Sequence, residues 1–339
     1  MNNPLSFDDV LIIPQFSNII SRKDVTVTSS FLGEDIFPVI SSNMDTVTEW
    51  PMARAMAEYG ARGCLHRFQS IQDNLEPFRQ TGKPQYVSIG LGDGELERGA
   101  ALFQAGATHF IIDVAHGANI EVVRQAKALR QIIKSNAMLV VGNFATAKSI
   151  EDFLYASNSV PHQHSPVQVD AVKLGIGSGA ACTTRLVTGC GLPTLASILD
   201  VRQHYPSLKI IADGGIKTSG DLAKAFAAGA NAVMIGKLLA GADEAPGTEY
   251  LGAKKYRGSA SEESYAKQNK LSEWRTAEGA AYFVPATGPV KNTLQTLEAG
   301  LRSAMSYAGA STLEEFQQKA RLTQITNLGL KESGAHGKI

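Results

Sequence analysis

The sequence predicts a single (β/α)₈ barrel, and three observations carry that expectation. Short apolar runs rich in Val and Ile recur eight times along the 339 residues. Segments with helical patterning lie between them, several ending in glycine. Polar or glycine-rich sequence follows seven of the eight runs. Continuous apolar runs of this length mark parallel strands buried on both faces, and their alternation with helices closes a barrel. In such barrels the functional residues collect at the carboxyl ends of the strands, so seven informative strand ends imply one shared site.

The runs come in order. FPVISS (37–42) leads into SSNMDTV, and the helical segment EWPMARAMAEYG after it stops at Gly60, a residue suited to the left-handed end of a helix. RGCLH (62–66) leads into HRF, and QYVSIG (85–90) forms the third strand. HFIIDV (109–114) is followed by DVAHG, MLVVGN (138–143) by GNFAT, and AVKLGI (171–176) by GIGSGAACTTR. KIIADG (209–214) opens into DGGIKTSGD and the helix SGDLAKAFAAG, and AVMIG (232–236) opens into GKLLAG. From 242 to 289 the pattern gives way to a long polar insertion, the place for a flap or lid, before the last helix VKNTLQTLEAGLRSAMSYAG. The polar stretch 156–170 reads as a surface insertion on the opposite face, with His162 and His164 as solvated loop residues. The whole of 1–339 is expected to be one catalytic barrel with 242–289 as a flap inserted in it.

Composition narrows the function. Hydrophobic residues make up 44% of the chain and charged residues 19%, enough for a large core, and the formal net charge is zero. No block of one sign supplies the basic footprint of a nucleic-acid binder, so a small-molecule partner is expected. The start, MNNPLSFDDVLIIPQF, lacks the uninterrupted apolar segment of a secretory signal, and no run reaches membrane length. A cytoplasmic enzyme without membrane partners is the expectation. Cys64, Cys182 and Cys190 have no metal-ligand spacing and build no disulfide framework.

Chemistry concentrates at the later strand ends. Glycines after the seventh and eighth strands, Gly214, Gly215 and Gly236, let backbone N–H groups approach an anion, and Lys237 adds charge, as in phosphate-binding barrels. Asp213 lies at the mouth of the seventh strand, placed to accept hydrogen bonds from a ribose diol. Cys182 ends a loop carrying Gly175, Gly177 and Gly179, beside Thr183 and Thr184. A thiol is the side chain most nucleophilic near neutral pH without a dedicated base. Cys64 and Cys190 are expected to pack as small hydrophobes.

FDDVLIIP, SSNMDTVTE, GIGSGAACTTR, IADGGIKTSGDLAKAFAAGA, VMIGKLLAG, KKYRGSAS and GLRSAMSYAGA occur in order across nearly the whole chain. Together they resemble the inosine monophosphate dehydrogenase and guanosine monophosphate reductase family. The resemblance implies a (β/α)₈ barrel, a homotetramer, and a purine nucleotide whose C2 bonds to Cys182. Dehydrogenases of the family usually carry a CBS insertion after the second strand and an Arg-Tyr pair in the flap. Here HRFQSIQDNLEPFRQTGKPQYVSIG runs straight through, and 259–278 contains no Arg-Tyr. EWRTAEG, Asn43, LHRF and DVAHG are instead similar to the reductases.

The reductase branch implies NADPH-dependent deamination of GMP to IMP and ammonia, with NADH left open. Thr184 and Glu278 would relay a proton to the departing amine. Arg275, Ser259 and Gly258 would lie at the base with Asn43 and Met44, Asp213 at the ribose, and Gly214, Gly215, Gly236, Lys237 and Tyr256 at the phosphate. Asp113, Ala115, His116 and Asn143 would border the cofactor. The carbonyls of Gly177, Gly179 and Cys182 match the family's potassium loop, a monovalent cation held by oxygens. Ala180 and Ser178 depart from the family pattern, and Lys237 is expected to offset the hydroxyl missing at Ala180. Two alternatives stand beside this: a dehydrogenase without its CBS insertion, oxidising IMP to XMP with NAD, and a nucleotide-binding regulatory protein without catalysis.

Overall fold

In the computed structural model the described residues are 4–81, 86–156, 166–268, 272–274 and 276–334, with the side chains of 77–81 left aside. His162, His164 and Arg275 lie outside them. Eight parallel strands close on themselves: β1 Val39–Ser41, β2 Arg62–Leu65, β3 Tyr86–Ile89, β4 His109–Asp113, β5 Met138–Phe144, β6 Ala171–Leu174, β7 Ile210–Asp213 and β8 Ala232–Ile235. β8 pairs with β1 through Met234 and Ile40, so the barrel has no free edge. Each of the eight apolar runs supplies one strand.

The main outer helices are α1 Trp50–Tyr59, α2 Ile71–Thr81, α3 Asp93–Gln104, α4 Ile120–Ile133, α5 Ala147–Tyr155, α6 Thr194–His204, α7 Ser219–Ala227 and α8 Val290–Tyr307. Their ends follow local chemistry. The Thr218 hydroxyl accepts from the Asp221 N–H and the Asp221 carboxylate accepts from the Thr218 N–H, a reciprocal cap that starts α7. Gly60 ends α1 at φ 94°, where a side chain would be strained.

Strand alternation sorts the core into two layers. Ile40, Tyr86, Ile111, Val140, Ala171, Ile211 and Met234 fill the barrel interior, joined by Phe31 and Ile36 from a hairpin of Ser29–Phe31 and Glu34–Ile36. Their neighbours Val39, Val87, Phe110, Ile112, Leu139, Val141 and Val172 pack in the second cluster with the helices. The period of two then carries the inward face from Ile111 to Asp113, from Ala171 to Lys173 and from Ile211 to Asp213. These three charged residues form the floor of the rim site.

The described residues of the 242–289 insertion carry more regular structure than their polar sequence suggests. Ala253–Arg257 (β9) pairs antiparallel with Ala281–Pro285 (β10), with Glu249–Tyr250 at the edge and a helix over Glu262–Lys267. The buried Lys254 ammonium donates to the carbonyls of Ala242, Asp243 and Ala245, fixing the base of the flap. Arg257 pairs with Asp45, which follows β1, and its N–H donates to Thr46 Oγ1.

One expectation fails. Cys190 is exposed rather than packed. It sits between Gly189 and Gly191, both at positive φ, in a turn after the short helix Thr184–Thr188 that faces solvent. No helix among the described residues is long and apolar enough to cross a membrane.

Candidate active site

Cys182, Thr184 and Glu278 come together although Glu278 is 94 residues away from Thr184. The Cys182 thiol donates to Thr184 Oγ1 at 3.1 Å, and that hydroxyl donates to Glu278 Oε2 at 2.7 Å. Backbone bonds set this geometry. Thr183 N–H donates to Glu278 O at 2.8 Å, Ala280 N–H donates to Ala181 O at 2.8 Å, and Cys182 bridges Gly279 in antiparallel fashion. The flap thus docks as a short strand on the cysteine loop. Gly279 permits the approach: a Cβ there would lie 3.0 Å from Ser261 N and 3.3 Å from Ala181 O.

These groups open into a cavity of about 510 Å³, within the usual range for a small-molecule site. Its walls include Asn43, Met44, Asp113, Ala115, Asn143, Gly177, Gly179, Asp213, Tyr256, Gly258 and Ser259. In the floor, Lys173 Nζ lies 2.6 Å from Asp113 Oδ1 and 2.5 Å from Asp213 Oδ2, with Asn143 Oδ1 as a further acceptor. Asn43 Nδ2 donates to Asp113 Oδ2 at 2.9 Å, and Asn143 Nδ2 donates to Asp213 Oδ2 at 3.0 Å. Burial opposes charge on both partners. Lys173 nevertheless holds the Asp113 carboxyl below the usual range, and the two carboxylates push the Lys173 ammonium up. Tyr256 is raised by burial, then by Tyr282, Asp213 and Cys182, and so stays a neutral hydrogen-bond donor.

A family model described as IMP dehydrogenase / GMP reductase domain matches residues 4–336. The chain belongs to that family. GMP reductase from Leishmania major is 38% identical, over 98% of this chain and 96% of its own. Inosine-5'-monophosphate dehydrogenase from Cryptosporidium parvum is 31% identical, over 98% of this chain and 94% of its own. Among solved structures, a cysteine-to-alanine variant of GMP reductase from Trypanosoma brucei in complex with guanosine 5'-monophosphate superposes with a TM-score of 0.90. It is 26% identical and covers 100% of this chain and 99% of that one. The IMP dehydrogenase / GMP reductase family is one of oxidoreductases, and this chain is an enzyme of that class.

Other expected residues sit at the margins of the cavity. Gly214, Gly215, Gly236, Lys237 and His116 are not among its lining residues. A Cβ on Gly236 would nevertheless lie 3.0 Å from both Ser42 Oγ and Tyr256 Oη, so the two hydroxyls converge on that glycine. Lys237 is exposed, its ammonium 5.7 Å from the centre of the Tyr282 ring, whose hydroxyl donates to Ala180 O. Of the proposed cation-binding carbonyls, Gly179 O accepts from Cys182 N–H. Arg185 braces the same loop by donating to Ile176 O and Leu192 O. The donors are neutral carbonyls, which suit a weakly held monovalent ion.

Lys173, Ser42 and Arg67 are among the lining residues that the sequence does not single out, although Ser42 and Arg67 fall within SSNMDTV and HRF. Lys173 lies inside an apolar run and reads as strand interior, although the step of two from Ala171 aims it at the site. Ser42 carries a buried hydroxyl that no side chain or backbone group among the described residues satisfies. Arg67 has a buried Nε without a partner among the described residues and lies over the Phe68 ring.

Proposed function

We propose that the chain is a GMP reductase, deaminating GMP to IMP and ammonia through an adduct between Cys182 and purine C2. The chain of hydrogen bonds from Cys182 through Thr184 to Glu278 is the observation that carries this reading. Expelling an amine needs a proton donor at the leaving nitrogen, and a hydroxyl backed by a carboxylate can deliver one. Addition of Cys182 Sγ to C2 releases the thiol proton into the relay. Thr184, recharged by Glu278, passes a proton to the exocyclic nitrogen, and the C2–N bond breaks as ammonia leaves. NADPH, or NADH, would supply the hydride that C2 then receives, after which the C2–Sγ bond breaks and Cys182 leaves as thiolate.

The remaining residues position. Asp213 Oδ2 takes the bonds of the floor network, so Oδ1 is the oxygen offered to the nucleotide ribose. Asp113, with Asn143 and Ala115 alongside, would orient the nicotinamide ribose; Ser42, Tyr256, Gly236 and Lys237 would take the phosphate, and Met44, Gly258 and Ser259 the base. Gly177, Gly179 and Cys182 would hold potassium and stiffen the nucleophile loop. Exposed Phe16, Ile20 and Leu328 offer apolar surface for a homotetramer. Paired assays test the reading: oxidation of NADPH or NADH with GMP and ammonia release supports it, while reduction of NAD with IMP alone would assign the dehydrogenase reaction instead. Nucleotide binding without turnover in either direction would favour a regulatory protein.

A further inference from the structure

Among the described residues, Lys173 is the one cationic side chain that touches both carboxylates of the floor. It is 1% exposed, enters the barrel from β6, and holds Asp113 on β4 and Asp213 on β7 with a single ammonium. Isolated burial of a cation is costly, and so is close approach of two carboxylates; the three groups are tolerable together because each offsets the others. The charged and titratable groups facing them are few. Arg67 acts on Asp113 from the loop after β2, Cys64 on β2 is kept protonated chiefly by burial, and Tyr256 faces Asp213 from the flap. Asn43 and Asn143 complete the network with neutral amides and cannot replace the charge.

We propose that Lys173 is a positioning residue shared by two ribose subsites, holding the carboxylates of Asp113 and Asp213 in register so that nucleotide and cofactor affinities depend on one ammonium. This rests on the proposed reductase function, in which Asp213 faces the nucleotide ribose and Asp113 the cofactor ribose. Without the ammonium the two carboxylates become a like-charged pair, and such pairs take up a proton that ionised carboxylates would not hold. A shared proton on the floor blunts both acceptors at once. A lysine with a purely structural role has no reason to act on both ligands with one pH dependence.

The test is steady-state kinetics of the full-length Lys173→Met variant with GMP and NADPH at several pH values, beside calorimetric titration with GMP, IMP and NADP⁺. The Michaelis constants for nucleotide and cofactor should both rise by roughly tenfold or more, with kcat less affected. Both should fall as pH rises and the shared proton leaves, whereas the wild type stays level. A rise in one constant only, or a pH-independent loss of kcat, overturns the proposal. If the variant fails to fold, Asp113→Asn decides: the ammonium, drawn to Asp213 alone, leaves the position that both carboxylates set, and the GMP constant should change by about threefold or more. An effect of Asp113→Asn confined to the cofactor refutes the sharing. Failure of the reductase function is separate, because wild type would then bind nucleotide without consuming NADPH while calorimetry still reports the linkage.

Discussion

Replacing Thr184 by Val removes the middle of the proton relay while keeping its shape. The hydroxyl lost accepts from Cys182 Sγ at 3.1 Å and donates to Glu278 Oε2 at 2.7 Å, so one substitution cuts both bonds. General acid–base assistance is worth about 10² to 10⁴ in rate, or about 3 to 5 kcal/mol of barrier, and that is the loss expected in kcat with GMP. Glu278 is partly exposed, so losing one hydrogen bond should hardly change folding. Ammonia release measured by rapid quench, with mass spectrometry of the Cys182 adduct, separates the deamination step from the hydride transfer after it. The variant should stall before ammonia leaves. Glu278→Gln should stall at the same step, with hydride transfer to a preformed adduct less affected. The double variant should be little worse than either single, because groups acting as one unit are not additive. A Thr184→Val enzyme within about threefold of wild type, or a double loss equal to the product of the singles, would refute the relay.

The other predictions concern neighbouring parts of the site. Cys182→Ala should abolish turnover while calorimetry still detects GMP binding; full activity would remove the covalent mechanism. Gly279→Ala places a Cβ against Ser261 N and Ala181 O and should displace the flap strand by a few tenths of an ångström, lowering kcat about tenfold with the melting temperature nearly unchanged. Lys237→Ala should raise the Michaelis constant for GMP, since the exposed ammonium beside Tyr282 is the cation proposed for the phosphate; an unchanged constant removes it from that role. The floor network sets a pH window for stability. Asp113, lowered when folded, stabilises above the unfolded carboxyl pKa of about 3.9, and that contribution disappears as pH falls through its folded value. Lys173, raised when folded, stabilises below its unfolded pKa of about 10.4 and loses that contribution only as pH climbs through its folded value. These two groups should therefore leave melting temperature level through neutrality, and Lys173→Met should abolish the plateau.

The barrel is legible because a parallel strand buried on both faces writes itself as an apolar run, and none of the eight is obscured. Cys182 and Thr184 are legible from a glycine loop at a strand end, whereas Glu278 requires the family resemblance: nothing local in RTAEG indicates which strand end it will visit. Lys173 escapes notice because a lone lysine in AVKLGI does not interrupt an apolar run, yet counting by twos from Ala171 aims it inward. The flap strands are hidden because the first carries charged residues at buried positions, Lys254 and Arg257, and because partners such as Lys254 and Val284 lie far apart in the sequence. Cys190 misleads for the opposite reason. Cysteine composition favours burial, but the flanking glycines turn the chain outward, and backbone geometry outweighs the preference of one small side chain.

On the proposed function, the flap accounts for how one barrel can host two directions of related chemistry. The floor, the cysteine loop and the cavity walls are built by strands and their immediate loops, while the acid that distinguishes the proposed deamination arrives on an inserted segment. That segment is fixed at three places: Lys254 holds its base, Arg257 ties β9 to Asp45, and main-chain bonds join Glu278 and Ala280 to the loop of Cys182. Only the last of these brings Glu278 to Thr184, so the relay is complete only when the flap is docked. A ligand that needs an open flap to enter therefore meets Cys182 and the floor first and Glu278 last. On that function, exchanging a few flap residues would change what is delivered to the adduct, water activation or a proton for an amine, without disturbing Cys182 or the carboxylates of the floor. On the proposed function, reaction direction is set by the flap and substrate class by the barrel.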